Sequence, residues 1–200
     1  MTEPTRIIVL GNSGVGKSFI VDKYIFNLVA NPIPTIGIEF RQFKIMNNNN
    51  LHKFYIWDTG GNMSYINILK AYYKSVDIVI LVFDLTNITS FIDLTHIWFN
   101  EIQSMDKNPQ YIAVVGTKCD LPQAIPDSII NDFIKENNIT KYYKSSGKKN
   151  ININNIFTDI SAYIISKSNF KLNIDIPKSK TGEITLQEDD KYEPNCCTIL

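Results

Sequence analysis

The chain has 200 residues, 44% of them hydrophobic, which suits one domain of ordinary size with a real core plus a tail. Twenty Lys and Arg against twenty Asp and Glu give zero formal charge, which excludes the basic stripe of a broad nucleic-acid surface, and no apolar stretch approaches the length of a membrane span. Three cysteines exclude a disulfide framework, and His52 and His96 stand apart from any Cys or His cluster, so the chain reads as intracellular with no zinc site.

Residues 2–6 form a short leader. The four apolar residues behind Arg6 are too few for a signal peptide, and Thr2 leaves no N-myristoylation site. Those four, Ile7-Ile8-Val9-Leu10, predict a strand buried on both faces. Gly11-Asn12-Ser13-Gly14-Val15-Gly16-Lys17-Ser18 follows and fits G-x-x-x-x-G-K-[ST], the phosphate-binding loop. Residues 19–30 lack Gly and Pro and predict the first helix. Strand, glycine loop and helix are the context the motif requires. The glycines let backbone N–H groups turn in around a phosphate, and the helix N-terminus adds partial positive charge. Lys17 then reaches the β- and γ-phosphates, and the Ser18 hydroxyl ligates Mg²⁺.

Asn31-Pro32-Ile33-Pro34 is a loop, because two prolines exclude helix. Residues 35–45 alternate imperfectly and predict a strand with one wet face. Asn47 to Asn50 is a turn, and Phe54-Tyr55-Ile56-Trp57 is the return strand of a hairpin. A glycine-rich break at Asp58-Thr59-Gly60-Gly61-Asn62 leads to a helix over residues 66–75. Residues 78–83 are a wholly apolar strand ended by Asp84, which reads as a terminator. Phe91, Leu94, Trp98 and Ile102 mark one face of a helix over residues 90–105. Residues 112–115 predict another buried strand. Asp127 or Ser128 is expected to cap a helix running to about Asn137. Tyr142-Tyr143 is a short strand, and Ile153, Ile156, Phe157, Ile160 and Ile164 stripe a last helix. Strands alternating with helices predict a mostly parallel sheet with helices on both faces, and its ligands belong at the carboxyl ends of the strands. From about Lys171 the apolar period stops, so residues 171–200 read as a flexible tail after a domain of residues 1–170.

Two further motifs stand at strand ends. In Asp58-x-x-Gly61 a carboxylate can hold the Mg²⁺ shell through water, and a glycine N–H can meet the γ-phosphate. In Thr117-Lys118-Cys119-Asp120 the aspartate can accept hydrogen bonds from guanine N1–H and its exocyclic amine. Adenine lacks that amine and would leave the carboxylate unpaired, which discriminates strongly. The Lys118 stem can pack over the base. Ser145-Ser146-Gly147-Lys148 can offer a backbone N–H to the guanine oxygen. Cys119 reads as an inert core thiol.

These residues resemble the Ras superfamily of small GTPases, and within it the Rab family. The ordered set is GNSGVGKS, Thr35-Ile36-Gly37-Ile38-Glu39-Phe40, Trp57-Asp58-Thr59-Gly60-Gly61, Tyr72-Tyr73-Lys74-Ser75-Val76-Asp77, Leu81-Val82-Phe83-Asp84-Leu85-Thr86, TKCD and SSGK. The likeness implies an α/β, three-layer P-loop fold, with a mostly parallel six-stranded sheet, one antiparallel strand and about five helices on both faces. It implies a GTP/GDP switch with Mg²⁺. GTP would be held by Gly11, Asn12, Ser13, Gly14, Val15, Gly16, Lys17, Ser18, Phe19, Thr35, Asp58, Gly61, Thr117, Lys118, Asp120, Ser146, Gly147 and Lys148. Thr35 would give its hydroxyl to Mg²⁺ and its N–H to the γ-phosphate, with Lys17, Gly61 and Asn62 as the catalytic set. Residues 31–40 and 60–76 would be the two switches. Ile36, Gly37, Ile38, Glu39, Phe40, Trp57 and Tyr72 would form the effector surface, although the three aromatics also suit a core.

The likeness further implies a monomer that meets effectors, an exchange factor, a GAP, a prenylation escort and a GDP-dissociation inhibitor. It would sit on the cytoplasmic face of a membrane, with a cytosolic pool, and serve vesicle traffic. The ending Cys196-Cys197-Thr198-Ile199-Leu200 resembles the Rab double cysteine. The tail's lysines (171, 178, 180, 191) are outnumbered by its acids (175, 183, 188, 189, 190, 193), so no polybasic patch helps a single lipid. Geranylgeranylation of both cysteines is expected; the rival is Cys197 alone, as a C-a-a-X box.

Five departures from the family pattern stand out. Asn62 replaces the usual water-orienting glutamine, and Met63 its acidic neighbour. The aromatic that normally covers guanine has no clear counterpart; Leu28 or Val29 falls nearest, with Phe26 further off. Thr117 replaces Asn, and Gly147 replaces Ala.

Overall fold

The computed structural model describes residues 3–27, 34–48 and 50–167. Leu28, Val29, the first part of the expected switch I and the tail with Cys196 and Cys197 lie outside the described residues. Six strands form one sheet: β1 (Thr5–Leu10), β2 (Ile38–Asn47), β3 (Asn50–Thr59), β4 (Ile78–Asp84), β5 (Tyr111–Thr117) and β6 (Lys141–Lys144). Their spatial order is β2-β3-β1-β4-β5-β6, and only β2 runs antiparallel to its neighbour, with Phe40 opposite Trp57.

The apolar runs become the middle of the sheet because both faces of a parallel strand must be covered. Every residue of β4 is buried. Val79, Leu81 and Phe83 point to one side, where they meet Leu69, Leu94 and Trp98. Ile78, Ile80 and Val82 point to the other, where they meet Ile20, Val21, Ile156, Phe157 and Ile160. Burial of each such side chain contributes about 1.5–3 kcal/mol. The first side is covered by α2 (Ile66–Tyr73), α3 (residues 88–103) and α4 (Asp127–Glu136), the second by α1 (Lys17–Phe26) and α5 (Ile153–Lys167). The result is the expected three-layer α/β fold.

Helix boundaries differ from expectation for local reasons. The first helix stops at Phe26, not near residue 30, because Asn27 turns left-handed at φ 52° and gives its N–H to the Lys23 carbonyl. α3 is α-helical over Ile88–Asp93, widens to a π turn over Leu94–Trp98, and is α-helical again over Phe99–Gln103. Neither Asp127 nor Ser128 caps α4. Pro126 holds the N-cap position, and the Asp127 carboxylate instead takes the Gln123 amide at 2.7 Å and Lys144 Nζ at 2.6 Å.

The carboxyl ends of β1, β3, β4 and β5 lie side by side. The loops that leave them carry Gly11, Gly60, Leu85 and Lys118 to one rim of the sheet.

Candidate functional site

A cavity of about 460 Å³ opens on that rim. Its floor is the loop between β1 and α1, residues 13–18, and its far wall is made by Lys118, Asp120, Ser146, Gly147 and Lys148. Phe19, Pro34, Thr35 and Gly60 are also in the lining. Gly11, Asn12, Asp58 and Gly61 stand just behind it.

The loop's path explains its glycines. A Cβ on Gly11, at φ +144°, would lie 2.1 Å from the Val82 carbonyl oxygen, so the loop leaves β1 pressed onto β4. Gly16 opens α1 at φ +99°, and its carbonyl takes the Ile20 N–H at 3.1 Å. Lys17 folds back along the loop. Its Nζ donates to the Gly11 carbonyl at 2.9 Å and the Asn12 carbonyl at 2.7 Å. Burial pulls its ammonium down to about 8, with Asp58 opposing. A buried ammonium at the N-terminus of a helix is a site for an anion.

Two hydroxyls and a carboxylate gather beside it. The Ser18 and Thr35 hydroxyls are 2.6 Å apart. The Asp58 carboxylate is almost wholly buried, and neither of its oxygens meets a donor in full hydrogen-bond geometry, although the Ser18 hydroxyl lies close enough to favour its charge. Burial pushes its carboxyl up to about 6, opposed by the Ser18 hydroxyl and the Lys17 ammonium. An orphaned buried carboxylate beside two hydroxyls is the donor set of a hard cation that keeps waters and takes phosphate oxygens. These residues therefore fit Mg²⁺. No group of three His, Cys, Asp or Glu able to hold a metal occurs among the described residues, so an all-protein cage is not built there.

The second turn seals the loop. Gly60 N–H donates to the Gly37 carbonyl at 2.8 Å, and a Cβ on Gly60 would meet the Thr35 carbonyl at 2.2 Å. Gly61, at φ +73°, leaves no room either: a Cβ there would sit 2.4 Å from Lys17 Nζ. Asn62 does not face the cavity. Its Oδ1 caps the short helix Met63–Tyr65 by accepting the Ser64 N–H at 2.9 Å.

The far wall is tied to the floor by Thr117. Its single hydroxyl proton is shared between the Val15 carbonyl at 2.5 Å and the Phe83 carbonyl at 2.9 Å. Cys119 N–H reaches the Ser145 carbonyl at 3.0 Å, which joins the two outer loops. Cys119 itself is half-buried at the edge of the core rather than inside it, and burial raises its thiol. Asp120 is held below the usual carboxylate range by the Ser146 hydroxyl, with Lys148 and Lys149 adding.

Two links were not foreseen. Asp84 does more than end a strand: its Oδ2 lies 2.6 Å from Lys118 Nζ, and its Oδ1 accepts from Thr86 N and Oγ1. It therefore anchors Lys118, whose backbone is left-handed at φ 59°. The Asn12 side chain turns away from the cavity to α3, where its Oδ1 accepts the Trp98 indole N–H at 2.7 Å and its Nδ2 donates to Asp93 at 2.6 Å. Trp98 closes the π turn that presents it.

On the outer surface Ile36 is 81% and Phe40 51% exposed, so these two are not core. Trp57 and Tyr72 are half-buried and meet edge to face at 5.2 Å, joining β3 to α2. No helix among the described residues is long and apolar enough to cross a membrane.

Comparison with known proteins adds to this geometry. The model of the Ras family matches residues 6–166. A "Probable Rab-related GTPase" of Acanthamoeba polyphaga mimivirus is 32% identical, over 97% of this chain and 93% of that protein. Ras-related protein RabT1 of Dictyostelium discoideum is 33% identical, over 99% of this chain and 87% of its own length. Ras-related protein Rab-22A of Homo sapiens is 29% identical, over 96% and 97%.

Proposed function

Since the chain belongs to the Ras family, as a small GTPase of the Rab type that hydrolyses GTP, we propose that it is a guanine-nucleotide switch with a slow intrinsic off-step. The observation that carries this reading is the set Lys17, Ser18, Thr35 and orphaned Asp58 at one end of the cavity, with Asp120 at the other. The loop of residues 11–18 and Lys17 bind the phosphates. Ser18, Thr35 and Asp58 would hold Mg²⁺, which would supply charge neutralisation to the phosphates. Asp120 accepts from the guanine edge, and the backbone of residues 146–148 faces its oxygen.

The Thr35–Gly37 segment and Gly60 are hydrogen-bonded to each other, so both report on the γ-phosphate together. Its loss releases both. Ile36, Phe40, Trp57 and Tyr72 then change as one surface, which suits an effector that reads aromatic anchors. Membrane attachment through Cys196 and Cys197, and a role in vesicle traffic, belong to the same reading.

Asn62 sets the timing. It is one methylene shorter than glutamine, and its oxygen already caps a helical turn. Caps favour Asn, and glutamine is a poor one. A reacting water that is misplaced by on the order of 1 Å slows a step about 100-fold. A GAP that supplies an arginine could restore about 10³–10⁵-fold. The same observation favours a second reading, a GTP-loaded membrane scaffold that hardly cycles. Single-turnover hydrolysis with Mg²⁺ separates them. Slow but measurable phosphate release, faster in Asn62→Gln, supports the switch. Intact GTP after many hours supports the scaffold, and equal rates in the two proteins remove Asn62 from the account.

A further inference from the structure

Phe19 directly follows Ser18, yet its ring belongs to the other end of the cavity. A Cβ built on Gly147 would lie 2.1 Å from Phe19 Cδ1 and 2.3 Å from Cε1. Atoms do not approach so closely, so the ring occupies the space that any larger residue at 147 would need. The backbone at Gly147 is not left-handed, so glycine is required there for room and not for conformation. Gly147 follows Ser146, which touches the Asp120 carboxyl, and all three line the cavity with Phe19. Among the described lining residues Phe19 is the aromatic one; Phe26 lies outside the lining and is 48% exposed.

We infer that Phe19 is the aromatic wall of the base subsite, and that Gly147 is the residue that lets it stand there. The inference rests on the guanine-nucleotide reading above and assigns the stacking contact to α1. Every purine presents a π-face, so a stacking wall adds affinity without choosing among purines. Asp120 then decides which base enters, and Phe19 decides how long it stays.

The test measures GDP and IDP affinity and dissociation in the full chain. IDP carries hypoxanthine, which lacks the exocyclic amine but keeps the π-face. Loss of one base–aromatic stack corresponds to about 5- to 150-fold. Phe19→Ala is expected to weaken GDP and IDP by the same factor within that range, mostly through faster release. Gly147→Ala is expected to weaken both comparably, because its new Cβ displaces the ring. The double variant should bind no worse than Phe19→Ala alone, since the three atoms nearest to that Cβ all belong to the removed ring. Phe19→Leu keeps most of the volume without the π-face. It stands in if Phe19→Ala fails to fold, with the same loss expected. Unchanged or tighter GDP binding in Phe19→Ala or Phe19→Leu would overturn the wall, because the ring would then be a bystander or a plug. Fully additive losses in the double variant overturn the pairing with Gly147. A native protein that binds neither nucleotide sinks the nucleotide reading itself, which is a different outcome.

Discussion

The floor of the phosphate end comes from one uninterrupted stretch, residues 13–18, to which Thr35 and Gly60 are added, while the base end is assembled from Phe19, Lys118, Asp120, Leu121 and residues 146–148. The first is dictated by backbone: glycines with positive φ, a helix N-terminus and a lysine held by two carbonyls. The second depends on side chains that tertiary structure brings together, such as Asp84 on Lys118 and Ser146 beside Asp120. On the proposed reading, phosphate recognition is local and indifferent to the base, and base recognition is distributed and selective. The Thr117 hydroxyl hydrogen-bonds across from the far wall to the phosphate loop at Val15.

The largest test of that contrast is selectivity. Native protein should prefer GDP to ADP by on the order of 10⁴-fold, and Asp120→Ala should collapse that ratio to near unity. Competition against a fluorescent GDP reads both values; a ratio that survives Asp120→Ala would break the contrast at its base end. Next comes Lys17→Ala, which should weaken GDP and GTP alike by on the order of 10²–10³-fold without altering base preference. A change of preference in that variant would mean that the two ends are not separable. A smaller effect is expected from Asn62→Gln, where single-turnover hydrolysis should rise by up to about 100-fold while GTP affinity stays level. Smallest is Trp98→Phe, which removes the indole donor from Asn12 Oδ1 and should lower unfolding stability by about 1–3 kcal/mol. If it also loosens GDP strongly, the phosphate loop is less self-contained than its sequence suggests.

What could be read in advance follows the same division. Residues 7–10, 78–83 and 112–115 declare buried strands because the cause, burial on both faces, is local. The turn over residues 11–18 declares itself for a local reason too, glycines set between a strand and a helix. Asp84 and Asn12 did not, because their partners Lys118 and Trp98 are far along the chain and only the sheet order and the π turn bring them near. The crowding of Phe19 on Gly147 had a visible trace, an aromatic and a glycine at two positions, but nothing in either stretch linked them. Asp127 misled because a carboxylate before a helix usually caps it, and here Lys144 and Gln123 compete for it.

The buried ammonium of Lys17 has a consequence for abundance. Even with two carbonyls and the Asp58 carboxylate near it, it carries a desolvation cost that a phosphate would offset. A ligand at a hundred times its Kd adds about 2.7 kcal/mol to a fold that recognises it. Nucleotide is thus a structural component of this protein as well as its substrate. Each moment of exchange leaves the fold without that contribution, so empty protein is expected to unfold and to be degraded faster than loaded protein.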